Sequence, residues 1–314
     1  MEAYQAALAG ETAPKRQIGQ ERTKDGSLGA LVVAYYQSAE YKNHAHNTKR
    51  NYSNMIDRLR AERGHLSVAG FKSAHALALL DEYADRLGAA NNLRRVLRIL
   101  MRFAVERGWR DDNPMAGLRR AKSRSAGYRT WTDEDIALFE AKYPKGSRAR
   151  LALALLLYTA QRRQDVVVMG RQHLRDGKIH VKQLKGDTRL ALPVHQNLAE
   201  ALTWVPAGQM TFLMTAQGKP FSPAGFTNWF SGVAKDAGLP ENSTPHGLRK
   251  AAARRLAEAG CSPHEIKAVT GHKNLSEVTL YTAAVDQERL AEVAMKTVSG
   301  TSGVKPLSPV DKSA

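Results

Sequence analysis

The chain has 314 residues, long enough for two domains that each bury a core. Hydrophobic residues make up 43% and charged residues 25%, which excludes a chain disordered throughout. Lys plus Arg number 47 against 30 Asp plus Glu, and a net charge of +17 points to a polyanionic partner. No stretch approaches the ~20 consecutive apolar residues of a membrane-spanning helix, and Met1–Gly10 has neither the basic nor the apolar region of a signal peptide. A lone Cys261 allows no internal disulfide and no Cys-based zinc site. The expectation is a cytoplasmic protein with no membrane partner.

Residues 1–26 are neutral overall and read as a flexible N-terminal segment, whereas 27–122 and 123–290 each carry a net +8, so both blocks are expected to face the polyanion. The first block reads as a helical domain over 27–122. Ser27 caps a helix with Leu28, Leu31, Val32, Tyr35 and Tyr36 on one face, and Asn47 caps a second with Tyr52, Met55, Ile56 and Leu59. A third helix is predicted over 74–87. A fourth, over 91–107, sets Arg94, Arg98 and Arg102 at four-residue spacing opposite Leu93, Val96, Leu97, Leu100 and Phe103. No acidic side chain lies between Leu93 and Val105 to pair with that stripe, so its repulsion predicts contact with phosphates. Lys49 and Arg50 are further candidates for such contact.

Small, polar and basic residues at 123–128 read as a linker. The second domain is predicted over 129–294. Thr132 caps a helix with an acidic first turn, and Leu151–Tyr158 is a nearly all-apolar run expected to be a buried helix. Two extended runs, 178–184 and 189–194, flank Lys185-Gly186-Asp187-Thr188, which has the turn chemistry of a β-hairpin. Thr244 with Pro245, the capping box from Ser262 to Glu265, and Ser276 each signal a helix start. Residues 286–296 can prolong the last helix. Beyond them the tail 295–314, rich in Ser, Gly and Pro from Val298, is expected to be flexible. The fold class is mainly α with a small β-sheet.

Four features at large separations belong together: Arg162 in a Thr-x-x-Arg segment after the buried helix, His246-Gly-Leu-Arg249 at a helix start, Gly271-His272, and Tyr281 nine positions beyond His272. His246 and Arg249 share one helix face beside the free N–H groups that favour an anion. Two Arg from different segments can hold the non-bridging oxygens of one phosphodiester and stabilise its pentacoordinate transition state. Attack by a phenol needs a base or a cationic setting, and the departing 5′-oxygen needs an acid.

This ordered set, with Lys185 on the hairpin, resembles the tyrosine recombinases, or phage-type integrases, from about Ser27 to about Ala294. The resemblance implies a helical core-binding domain and a catalytic domain forming a C-shaped DNA clamp. It implies Tyr281 as nucleophile, Arg162 and Arg249 as phosphate clamps, Lys185 as leaving-group acid, His246 as acceptor of the phenolic proton, His272 as a phosphate donor and Asp165 in support, with no cofactor and no metal. It further implies duplex DNA with inverted-repeat core sites as substrate, a homotetramer in the synaptic complex and a 3′-phosphotyrosine intermediate. Lys49, Arg50, Arg94, Arg98 and Arg102 are the expected DNA-binding residues outside the catalytic domain. Arg163 is adjacent to Arg162, and the Thr-x-x-Arg spacing favours Arg162; Lys182 shares the hairpin with Lys185, which lies eight before Pro193 as the family pattern has it. Two departures adjoin Arg162: Ala160 where Gly is usual and Gln161 where an apolar residue is usual. The alternatives are a type IB topoisomerase and a non-catalytic DNA-binding accessory protein.

Overall fold

The computed structural model describes residues 23–121 and 127–301, with side chains over 280–301 given only at 283, 287 and 291–298. Most of the predicted N-terminal segment, the linker positions up to 126, and residues 302–314 lie outside the described residues. The chain divides into two compact units, Met1–Ser125 and Ala126–Ala314. Among the described residues no helix is long and apolar enough to cross a membrane.

The first unit holds α1 (Leu28–Gln37), α2 (Ala39–Lys42), α3 (His46–Arg63), α4 (Ser73–Asp81) and α5 (Leu87–Glu106). Ser27 caps α1 by accepting from the Ala30 N–H, and Leu28, Leu31, Val32 and Tyr35 bury its predicted face. Leu93, Val96, Leu97, Leu100 and Phe103 of α5 enter the same core. Three boundaries differ from the sequence reading. Helix α3 starts at His46 behind Ala45, with no side-chain cap, so Asn47 lies inside its first turn. The helix expected to reach Leu87 stops at Asp81, and α5 opens at Leu87 instead of at Asn91. Between them the ring of Tyr83 is buried, a tertiary anchor that local periodicity does not register. Arg110 is a buried cation of this unit. It donates to the carbonyl oxygens of Val68, Phe71 and Asp112 and pairs with the Asp112 carboxylate at 2.8 Å. Those acceptors compensate a charge that burial would otherwise penalise.

The second unit runs α6 (Asp133–Lys142), α7 (Arg148–Thr159), α8 (Arg163–Val166), a 3₁₀ turn (Arg171–His173), β1 (Leu174–Arg175), β2 (Lys178–Lys182), β3 (Arg189–Pro193), α9 (Gln196–Thr203), α10 (Pro223–Asp236), α11 (Pro245–Glu258), α12 (Pro263–Thr270) and α13 (Leu275–Thr301). Thr132 and Asp135 form a reciprocal capping box on α6. Helix α7 is buried almost all round, with Leu153, Leu155, Leu156 and Leu157 in the core. The sheet is antiparallel in the order β1-β2-β3, and its register sets Ile179 opposite Leu192 and Val181 opposite Leu190. The hairpin turn uses positive φ at Gly186 (100°) and Asp187 (57°), and the Gln183 N–H donates to the Thr188 carbonyl across it.

Thr244 and Ser262 cap α11 and α12, each with Pro in the first turn. Ser276 is not a cap, because α13 already begins at Leu275; this helix runs on through Thr301, so 295–301 are helical where the sequence predicts a flexible tail. The run of helix formers over 286–296 carries the helix past the point where composition alone marks an end. At Gly247 a Cβ would come within 2.3 Å of the Arg129 carbonyl oxygen. Only glycine lets the first turn of α11 sit this close to 129–131, which sets the depth of His246 and Arg249.

Candidate active site

Helix α7 ends at Ala160 in the left-handed conformation (φ 52°, ψ 25°), with its N–H on the Leu156 carbonyl. Glycine adopts this conformation freely; for alanine it costs about 1–2 kcal/mol. The turn sends Gln161 inward and half-buries Arg162, while Arg163 is exposed. Nη1 of Arg162 donates to Oε1 of Gln183 at 3.0 Å.

Arg249, 2% exposed, comes from the first turn of α11. Its Nη1 donates to the Ala160 carbonyl at 2.7 Å, so the strained residue two before Arg162 also seats the second guanidinium. Nη2 of Arg249 lies 3.1 Å from Nε2 of His272, whose Nδ1 lies 2.7 Å from Oγ1 of Thr270. Arginine has only donors, so Nε2 is the acceptor. Thr270 Oγ1 donates to the Ile266 carbonyl, which leaves it to accept from the Nδ1 proton. His272 is therefore neutral, and burial together with the Arg249 and Arg162 charges lowers its pKa to about 4. His246 stacks on Tyr128, ring centroids 4.6 Å apart, and burial plus the charges of Arg249, Lys250, Arg162 and Arg163 lower its pKa to about 4 as well.

Asp165 is buried on α8 and accepts the Leu184 N–H at 2.8 Å, tying the hairpin turn to the segment that carries Arg162. Burial raises its pKa against the opposing pull of that N–H, Arg162 and Arg249. Lys185 is exposed on the turn and makes no side-chain hydrogen bond or ion pair with the described residues, whereas Lys182 pairs with Asp187 at 2.9 Å. A Cβ at Gly186 would meet Cε of Lys273 at 2.8 Å, so Lys273, next to His272, lies over the same turn. Tyr281 falls in the second turn of α13; its side chain is outside the described residues.

The model of the phage integrase family matches residues 134–288, which contain this whole set. The integrase of Escherichia phage HK022 is 25% identical over 248 residues, covering 74% of this chain and 69% of that protein. Tyrosine recombinase XerC of Bradyrhizobium diazoefficiens is 31% identical over 192 residues, 57% of this chain and 56% of its own. Lambda integrase as a dimer bound to a COC′ core site superposes with a TM-score of 0.72 at 25% identity, covering 90% of this chain and 85% of that one; the tetramer bound to a Holliday junction gives 0.72 at 24%, covering 89% and 85%. The chain belongs to the phage integrase family of tyrosine recombinases. It is a site-specific DNA recombinase, and the topoisomerase and accessory-protein alternatives are not favoured by these relatives.

The recombinase's first unit treats the predicted basic residues unequally. Arg94 directs Nε and Nη2 to the Leu118 carbonyl, at 3.0 and 2.7 Å, and holds the segment after α5. Arg102 pairs with Glu40 and, at 3.4 Å, with Glu106. The stripe is thus not uncompensated: one acid arrives from α2 and the other sits just past the window in which the sequence shows none. Arg98 and Arg50 are exposed and Lys49 half-buried, and none of the three side chains bonds to the described residues. Sequence patterns alone do not single out Gln183, Thr270 or Lys273 for the site. A signal for Gln183 is nonetheless present: it continues the inward positions of Ile179 and Val181, where a polar residue breaks the alternation.

Proposed function

We propose that this recombinase cleaves and rejoins duplex DNA through a 3′-phosphotyrosyl bond at Tyr281. The observation that carries the reading is that Arg162 and Arg249, from segments 87 residues apart, meet at one turn: Arg249 donates to the Ala160 carbonyl two residues before Arg162 and to His272, and the charge of both guanidiniums helps hold His246 and His272 neutral. Such a cluster is a receptor for one phosphodiester. The phenolic oxygen attacks phosphorus, the bond from phosphorus to the 5′-oxygen breaks, and the two guanidiniums stabilise the charge gained in between. His246, held neutral, is free to take the phenolic proton. Lys185, without a partner among the described residues, gives a proton to the departing 5′-oxygen. Asp165 holds the turn that carries Lys185. His272 supports Arg249 while neutral, and with a second proton on Nε2 it gives up that contact and donates to the phosphate instead. The same neutral pockets reverse each transfer on rejoining.

The substrate on this reading is a pair of inverted-repeat core sites brought together by four copies of the chain, as the tetramer of lambda integrase on a Holliday junction supports. The second unit holds the scissile phosphate, and Lys49, Arg50 and Arg98 of the first unit meet the flanking backbone. The test begins with the site, selected from a random duplex library by the full-length chain. A duplex carrying that site and a nick beside the cleavage point should become covalently attached to the wild type and not to Tyr281→Phe, which loses only the attacking oxygen. An adduct on Tyr281→Phe would place the nucleophile elsewhere.

A further inference from the structure

We infer that Gln183, oriented by Gln161 and by the Thr270 carbonyl, is the positioning residue that fixes the Arg162 guanidinium for the transition state; the inference rests on the reading of Arg162 as a phosphate clamp. Gln161 and Gln183 are 0% and 1% exposed. Nε2 of Gln161 donates to the carbonyls of Thr159 at 2.8 Å and Val269 at 2.9 Å. Its Oε1 accepts from Nε2 of Gln183 at 2.7 Å, and the second proton of that amide goes to the Thr270 carbonyl at 2.9 Å. All four amide protons are used, and one acceptor, Oε1 of Gln183, is directed at Nη1 of Arg162.

The polarity of this ladder admits one orientation. Thr159, Val269 and Thr270 carry carbonyls at the C-terminal ends of α7 and α12, where no helical N–H follows to satisfy them. Turning either amide over would set an oxygen against a carbonyl oxygen. The three fixed carbonyls therefore dictate that an oxygen, and not an NH₂ group, faces Arg162. The rotamer of a guanidinium in the reacting cluster is set by the ends of two helices, relayed through two side chains. Gly271 leaves the space: a Cβ there would lie 2.5 Å from Nε2 of Gln183.

Stability alone does not account for the pair. Replacing a fully satisfied buried polar network by apolar side chains of similar shape is close to neutral for folding, and Gln183 occupies an inward strand position suited to such a side chain. The distinctive product of the ladder is direction, supplied to one cation at the site of charge development.

The experiment uses the full-length chain and the selected site as a nicked duplex, in two forms: the ordinary diester, and one with a methylphosphonate at the scissile position. Replacing a non-bridging oxygen by methyl removes one negative charge from the transition state and with it most of the need for an oriented cation. Gln183→Met should slow single-turnover attachment about ten- to a hundredfold on the diester, the scale of an ångström of misplacement, with DNA affinity unchanged. Its ratio of methylphosphonate to diester rate should rise toward that of Arg162→Ala. That ratio is internal to each protein, so a partly unfolded sample does not distort it. Gln161→Leu should shift the ratio the same way, and the double variant should be no slower than Gln183→Met, because Gln161 acts through Gln183.

A wild-type ratio in Gln183→Met, or additive losses in the double variant, would overturn the inference. So would restoration of Gln183→Met by a 5′-bridging sulfur, which would move its action from Arg162 to the leaving group. If Arg162→Ala itself attaches at the wild-type rate, the clamp reading fails instead, and the two failures are told apart by that one control.

Discussion

Nη2 of Arg249 and Nε2 of His272 sit 3.1 Å apart, donor against acceptor, with the far side of the imidazole closed by Thr270. A cation thus rests on a ring that must stay neutral to receive it. His272 and His246, the latter stacked on Tyr128, both have pKa values near 4 in the folded protein against an ordinary 6.5.

Stability should follow from that difference. The unfolded chain takes up protons at these positions below about pH 6.5 and the folded chain only near pH 4, so the stabilisation is complete above 6.5 and is lost as pH falls from 6.5 toward 4. Thermal melting between pH 7.5 and 4.5 should show the midpoint dropping across this window, and His272→Gln should flatten part of the drop. A phosphate in the cluster favours the imidazolium, so DNA binding should take up protons and tighten from pH 7 to 5.5. An affinity independent of pH would remove His272 from the phosphate's surroundings.

Lys185 and Lys182 share a hairpin and differ in what holds them, since Lys182 is engaged with Asp187. Lys185→Ala should lose most DNA cleavage and regain it on a substrate with a 5′-bridging sulfur, which leaves without a proton. Lys182→Ala should cleave within a few-fold of wild type on both. The opposite pattern would transfer the acid to Lys182.

In the first unit, Arg98→Ala, Lys49→Ala and Arg50→Ala should each weaken DNA binding, with the slope of log affinity against log salt shallower by about one for every phosphate the variant leaves unneutralised. Arg94→Ala should leave the slope alone and instead lower stability by about 1–3 kcal/mol, because its two hydrogen bonds go to the Leu118 carbonyl. Salt titrations and melting curves on the same variants separate the two classes.

Gly271 has φ 68°, and a side chain there would strike the Gln183 amide. Gly271→Ala should cost roughly 1–3 kcal/mol from the left-handed backbone alone and, by displacing Gln183, should slow attachment by more than the lowered stability explains. Melting combined with single-turnover cleavage checks both parts.

Much of the site was legible because its chemistry needs particular side chains at fixed local spacings: Thr244 and Pro245 start the helix that pairs His246 with Arg249, and the turn residues Gly186 and Asp187 announce the hairpin that carries Lys185. The same local rules misplaced the starts of α3, α5 and α13 by two to four residues, where Ala45 caps nothing and buried Tyr83 turns the chain.

The class of partner is written in a +17 charge, the mainly helical fold with one small sheet in the periodicities of the chain, and the groups able to act on a phosphodiester in its motifs. Which cations the protein itself engages emerges only in the folded chain. Arg94 and Arg102 look like Arg98 in the sequence, yet a carbonyl 24 residues away and a carboxylate 62 residues away claim them. Gln161 looks like a lapse from an apolar pattern, yet it is the first rung of a ladder between two helix ends. Periodicity reports which face of a helix is dry; hydrogen bonds and ion pairs between distant segments depend on distances of about 3 Å, and those exist only after the chain has folded.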